Sequence, residues 1–181
     1  SVGLRRTTPR QRRPHAPLAS GALSTPTALL AIDLGVRTGL ARYDDSGRLL
    51  AYRSQNLGSR SRLKRAAHTL LAEHGDLDRL VLEGGGNLAD LWKAAGLRRG
   101  LRVRIMDAGV WRRGLLLPRE RRTGALAKEA ADAYARRIIA WSGAPSPKGK
   151  LKHDAAEAIC IGLWACVEAG WLDRVPADVR R

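Results

Sequence analysis

The chain has 181 residues, with 33 Lys and Arg against 17 Asp and Glu and a formal charge of +16. Hydrophobic residues make up 44%, and a domain of this length buries roughly 70% of its unfolded surface, so wholesale disorder is excluded. No apolar run reaches the roughly 18 to 20 residues of a membrane span, and two cysteines, Cys160 and Cys166, cannot build a disulfide framework. A soluble, intracellular protein that meets a polyanion is expected. Arginine supplies 27 of the 33 basic residues, and its planar fork suits phosphate better than lysine does, although a GC-rich genome would also raise arginine use.

Residues 1–27 hold Pro9, Pro14, Pro17 and Pro26 among Arg, Ser and Thr without helical or strand periodicity, and read as a flexible basic arm or a targeting remnant. From Ala28 the pattern changes: Ala-Leu-Leu-Ala-Ile-Asp33 is a short apolar run ending in an acid, as in a buried central strand. Residues 37–43 and 48–55 follow as two strands joined by Asp44-Asp45-Ser46-Gly47, a turn rich in residues that tolerate positive φ. Residues 60–74 place Leu63, Ala66, Ala67, Leu70 and Leu71 at helical spacing, and residues 79–83 form another apolar run ending in Glu83. Asn87 is positioned to cap a helix to about Arg99, and residues 101–106 alternate as a fifth strand.

Residues 107–122 are rich in arginine and ambiguous in period. Thr123 is placed to cap a helix to about Trp141, residues 142–152 form a loop with Gly143, Pro145, Pro147 and Gly149, and a last helix covers residues 154–169. The expected order βββαβαβ followed by helices makes one α/β domain over residues 28–175, with a basic tail at 176–181. Its five-stranded mixed sheet has three antiparallel strands, then parallel crossovers, flanked by helices.

Four acids stand out by position: Asp33 and Glu83 end strands, and Asp154 with Glu157 opens the final helix at a spacing that places both on one face. If the crossover sets the fourth strand beside the first, these carboxylates meet. Such a cluster is unfavourable without a cation, and hard oxygen ligands call for Mg²⁺ or Mn²⁺. Each acid alone has a structural alternative: Asp33 in a turn, Glu83 paired with an arginine, Asp154 as a helix cap.

The segments Leu29-Leu-Ala-Ile-Asp33-Leu-Gly35-Val-Arg-Thr-Gly39-Leu-Ala, Leu82-Glu83 and Lys152-His153-Asp154-Ala-Ala-Glu157-Ala-Ile resemble the three acidic motifs of RuvC-type Holliday-junction resolvases, within the RNase H-like superfamily. The resemblance spans residues 28–169 and implies an RNase H-like fold and a dimeric, structure-selective endodeoxyribonuclease acting on branched DNA. By that resemblance Asp33, Glu83, Asp154 and Glu157 are the metal-binding catalytic acids for two ions. Asp33 would bridge them, and His153 would orient water or touch the scissile phosphate. No organic cofactor is implied. Leu34 stands where the family usually has Pro, Glu157 stands where Asp is common, and Trp92 is the nearest aromatic after the second acid, where the family places one that meets bases.

Phosphate contacts are expected from Lys148, Lys150 and Lys152 on the loop before the last motif, from Arg112, Arg113, Arg119, Arg121 and Arg122, and from Lys128 in the following helix. A homodimer follows from paired cuts on a symmetric junction, branch-migration machinery is a further partner, and no membrane is involved. The expected location is the nucleoid in the cytoplasm, with an organellar matrix as the alternative. Leu88, Leu91, Trp92 and Ala95 form an apolar helical stripe that either packs on its own sheet or faces a partner subunit. Cys160, Cys166, Trp164 and Trp171 are expected to pack the last helix. Competing functions are another RNase H-like nuclease, YqgF-like or hybrid-cleaving, and a non-catalytic nucleic-acid-binding protein. Actin-like kinases and ATPases share a loop similar to Ala31–Gly39, but they need two such domains and the chain has room for one.

Overall fold

The computed structural model describes residues 25 and 27–180; all but two residues of the basic arm expected over 1–27 lie outside that range, as does Arg181. Ala28–Asp33 forms β1, buried at its first five positions. A strand buried on both faces needs such an unbroken apolar run. Arg37–Asp44 (β2) and Leu49–Asn56 (β3) continue as an antiparallel meander. The turn between them is held by Asp44, whose Oδ1 accepts from the backbone N–H groups of Ser46 and Arg48, each at 3.0 Å.

Arg60–Ala72 (α1) crosses to Leu77–Glu83 (β4), and Gly86–Arg98 (α2) leads to Arg102–Met106 (β5). Both crossovers give parallel strands, and the sheet order is β3-β2-β1-β4-β5. The α/β fold class, with three antiparallel strands followed by parallel crossovers, is the one expected. The ambiguous arginine-rich segment resolves into Ala108–Leu115 (α3) and a 3₁₀ turn at Pro118–Arg121. Gly124–Ser142 (α4) is capped by the Thr123 side chain, which accepts from Leu126 N–H at 3.2 Å. His153–Glu168 (α5) and a short Ala177–Arg180 turn (α6) complete the chain. Val179 of α6 is buried, and Arg137 of α4 donates to its carbonyl at 2.6 Å.

Two apolar clusters sandwich the sheet. On one face α1 and α2 cover Leu30, Ile32, Leu80 and Leu82, and Trp92 lies fully buried among them. The stripe on α2 is therefore used on its own sheet, and Trp92 is withdrawn from any role in meeting bases. On the other face α5, buried at every position from Ala155 to Cys166, lies across β1 and β2. A helix apolar all round belongs in such a place. Cys160 and Cys166 are free and buried on it, and Trp164 packs where Gly114 of α3 leaves room.

Helix starts differ from expectation at two points that bear on the acids. Gly85, not Asn87, is the N-cap of α2, because Gly84 and Gly86, with φ of 123° and 65°, let the chain reverse directly after Glu83. Helix α5 begins at His153 with Lys152 at its N-cap, so Asp154 lies inside the first turn and its carboxylate is not spent as a cap.

Close backbone approach fixes where α5 begins. A Cβ on Gly39 would lie 1.9 Å from the Asp154 carbonyl oxygen, and one on Gly162 would lie 2.2 Å from Tyr43 Cε2. Tyr43 in turn donates its hydroxyl to the Ile159 carbonyl at 2.5 Å. Overpacking of this kind costs about 3 kcal/mol or more where backbone blocks relaxation. Gly39→Ala is accordingly expected to lower the unfolding free energy by about that much, read as a lower urea midpoint at an unchanged slope, and an unchanged midpoint would contradict this packing.

Candidate metal centre

The site grows from one register. In the parallel pairing of β1 with β4, Asp33 lies directly beside Glu83, while on its antiparallel side Asp33 is opposite Gly39. Beyond the last strand residue, Leu34 N–H donates to the Glu83 carbonyl at 2.9 Å and carries the ladder one step further. A proline at position 34 would have no N–H to make that bond. The buried Thr38 hydroxyl donates to the Gly35 carbonyl at 3.1 Å and holds the intervening loop.

Helix α5 delivers the other two acids. Because Gly39 has no side chain, the first turn of α5 sits against β2, and Ser54, the β3 partner of Gly39, reaches Asp154. Its hydroxyl donates to Asp154 Oδ2 at 2.5 Å. One turn on, Glu157 is 8% exposed and Glu83 is 9% exposed, so two of the four carboxylates are largely shielded from water. Trp111 Nε1–H donates to Glu83 Oε2 at 2.5 Å, and Arg112 Nη2 donates to Glu157 Oε1 at 2.5 Å.

The electrostatics follow from this crowding. Burial and then the charges of Glu83, Glu157 and Asp154 push the Asp33 carboxyl from 3.8 up to about 8, and its retained proton bonds toward Glu157. Burial also raises Glu83, opposed by the Trp111 hydrogen bond and the Arg112 charge. A carboxyl that keeps its proton to neutral pH marks a place shielded from water, and here also one where negative charge is gathered. The donor set is all oxygen, which fits a hard divalent ion. Among the described residues no three acid, histidine or cysteine side chains are drawn together tightly enough to hold an ion as they stand. Glu83, Asp154 and Glu157 are each hydrogen-bonded to Trp111, Ser54 or Arg112, and their carboxylates would have to turn from these partners.

An open cleft of about 380 Å³ is lined by Asp33, Asp154, Glu157, Lys128, Lys152, His153 and Arg37. The structure thus brings Lys128, Lys152 and His153 to the acids. Lys128 and His153 also line the adjoining groove, where Lys150 stands with Arg136. Arg113, Arg119, Arg121 and Arg122 are exposed on α3, the 3₁₀ turn and its end, outside the cleft lining. Lys148 lies apart, in a groove with Tyr52 and Pro145. Arg112 is not a free phosphate ligand, since it is paired with Glu157.

Sequence reasoning missed Arg37, Ser54 and Trp111. Arg37 lay inside the first motif and was legible there. Ser54 and Trp111 are chosen by pairing across the sheet and by the placement of α3, which no local pattern announces.

The sheet order, with α5 across β1 and β2 on one face and α1 and α2 on the other, defines an RNase H-like fold. In particular, the chain superposes on RuvC of Thermus thermophilus in complex with a Holliday junction substrate, with a TM-score of 0.55 at 16% identity over 80% of this chain and 96% of that one. A second Thermus thermophilus RuvC structure gives 0.54 at 17% identity with the same coverage. The large terminase nuclease of thermophilic phage G20c aligns at 0.46 and 11% identity, over 76% of this chain and 81% of that one. For the two RuvC structures the likeness, at these identities, is one of fold. No protein-family model and no curated protein sequence matches the chain.

The raised Asp33 carboxyl has a direct consequence for the metal-free protein. Between about pH 4 and about pH 8 the folded state holds a proton that the unfolded chain has released. The stability tied to that proton is complete below the lower value and is lost as pH rises through the upper one. Asn at position 33 needs no proton. Asp33→Asn is therefore expected to melt progressively higher than the parent as pH rises across this window, by about 5 °C or more at the upper end, in chelator-treated samples. A melting difference that does not change with pH would contradict the assigned environment of Asp33.

Proposed function

We propose that the chain is a divalent-metal-dependent endonuclease acting on branched DNA, with four-way junctions as its substrate. The observation that carries this reading is the convergence of Asp33, Glu83, Asp154 and Glu157 at one end of the sheet, where burial first and then the three neighbouring carboxylates raise Asp33 to about 8. A structural ion-pair network would balance its acids with bases, whereas here burial and three carboxylates together raise the fourth. The choice of substrate draws on the fold, since the RuvC that superposes on this chain was solved with a Holliday junction substrate.

In this reading Asp33, Glu83, Asp154 and Glu157 would hold two Mg²⁺ or Mn²⁺ ions, which would supply charge to stabilise the attacking water and the departing 3′ oxygen of a phosphodiester. The remaining work belongs to the chain's own side chains. Arg37, Lys128 and Lys152, in the same cleft as the acids, offset the charge of the scissile phosphate that the carboxylates would otherwise repel. His153 is exposed at the start of α5, beside Asp154, where its imidazole can orient a water or bond a phosphate oxygen. Lys150 extends the basic track into the neighbouring groove, and Arg113, Arg119, Arg121, Arg122 and Lys148 serve as outer contacts. Two cuts on a symmetric junction call for two such sites, which a twofold dimer of this chain supplies.

The test is cleavage of a synthetic four-way junction beside duplex, single-stranded DNA and an RNA–DNA hybrid, with Mg²⁺ and with Mn²⁺. The junction is expected to be cut in preference to the others, leaving 5′-phosphate and 3′-hydroxyl ends. Asp33→Asn should reduce cleavage by at least about 100-fold while junction binding by gel shift is retained. Preferential cutting of the hybrid would move the substrate assignment to RNA–DNA nucleases, and undiminished cutting by Asp33→Asn would overturn the metal-centre reading.

A further inference from the structure

Arg112 stands in a place that the proposed chemistry has to share. Its Nη2 lies 2.5 Å from Glu157 Oε1, with the arginine side chain 23% and the glutamate side chain 10% exposed. Its charge also acts on Glu83, and its guanidinium carbon is 5.4 Å from the ring centroid of Trp111, whose N–H is on Glu83. Two consecutive residues of α3 thus engage two of the four acids. The fit is incomplete, because Arg112 Nε is buried without a hydrogen-bond partner among the described residues.

We infer that Arg112 is a placeholder cation: it neutralises Glu157 while the centre is empty of metal, and it must leave Glu157 when a divalent ion is taken up. This rests on the reading of the four acids as a metal centre. The physical argument is competition for one carboxylate. The short charge-assisted bond from Arg112 engages the oxygen that an ion would need, and a full positive charge already beside Glu157 and Glu83 repels an incoming one. Released from Glu157, the guanidinium, one residue before the exposed Arg113, is free to bond a phosphate oxygen of the substrate. Metal uptake and the appearance of a phosphate ligand then become a single exchange, which keeps Glu157 balanced in both states.

The inference is tested by titrating Mn²⁺ into the chelator-treated full chain, with bound and free ion counted by electron paramagnetic resonance. The comparison covers the parent, Arg112→Gln, Arg112→Lys and Asp33→Asn. Loss of the competing charge-assisted bond should tighten Mn²⁺ binding in Arg112→Gln by about tenfold or more. Arg112→Lys, which keeps the charge but not the fork, should fall between it and the parent. Without metal, Arg112→Gln should melt several degrees below the parent, and saturating Mn²⁺ should close most of that gap. Mn²⁺ binding that depends on Asp33 but is equal or weaker in Arg112→Gln would overturn the placeholder role and leave the metal centre standing. If Arg112→Gln fails to fold, Arg112→Lys decides by the same comparison with the parent. Absence of Asp33-dependent binding in every form would overturn the metal centre and this inference with it.

Discussion

Like charges gathered at one end of a sheet repel one another, and in this chain the repulsion is answered acid by acid. Asp33 keeps a proton, Glu83 accepts from an indole, Asp154 accepts from a serine hydroxyl, and Glu157 accepts from a guanidinium. Two of these four answers, the indole and the hydroxyl, are neutral, so the cluster remains short of positive charge. That shortfall links the fold to the proposed chemistry. A protein gains nothing in stability by burying unpaired carboxylates, and such an arrangement makes physical sense where a cation completes it.

The surrounding architecture serves to hold the cluster. The parallel β1–β4 register sets Asp33 beside Glu83, and the Leu34 bond beyond the strand end keeps it from fraying. On the opposite side, glycine at 39 lets the backbone of α5 come within contact of β2, while Tyr43 and Gly162 pin the same helix further along. Two rigid elements, a central strand pair and a buried helix, therefore position all four acids. The groups that bond to them come from β3, an edge strand, and from α3, whose Trp111 is fully buried while its Arg112 is part-exposed.

Much of this was legible from residue order. Apolar runs ending in Asp33 and Glu83, an Asx-type turn at Asp44–Gly47 and the cap at Thr123 each reflect local physics, and the strands and helices follow them closely. The pair Asp154 and Glu157 was readable because helical spacing alone puts them on one face. What escaped was set by tertiary contact. The arginine-rich segment 107–122 has no clean period, so the helix bearing Trp111 and Arg112 could not be drawn, and Arg112 was read as a phosphate ligand where the structure has it on Glu157. Trp92 was considered as a base-stacking residue because of its distance along the chain from Glu83. The inward face of α2 buries it completely, which local sequence does not specify.

Basic residues divide in the same way. Lys128, Lys152 and His153 share a cleft with the acids, Lys150 continues it, and Lys148 turns elsewhere. Charge surplus therefore describes the surface only in bulk, while the cleft is defined by a minority of acids and the few bases that border them. The central claim is that these four carboxylates are a binding centre for divalent ions, and anomalous diffraction from crystals of the full chain grown with Mn²⁺ tests it most directly. The account predicts anomalous density among Asp33, Glu83, Asp154 and Glu157. Density elsewhere on the surface, with these carboxylates still bonded only to Ser54, Trp111 and Arg112, would contradict it.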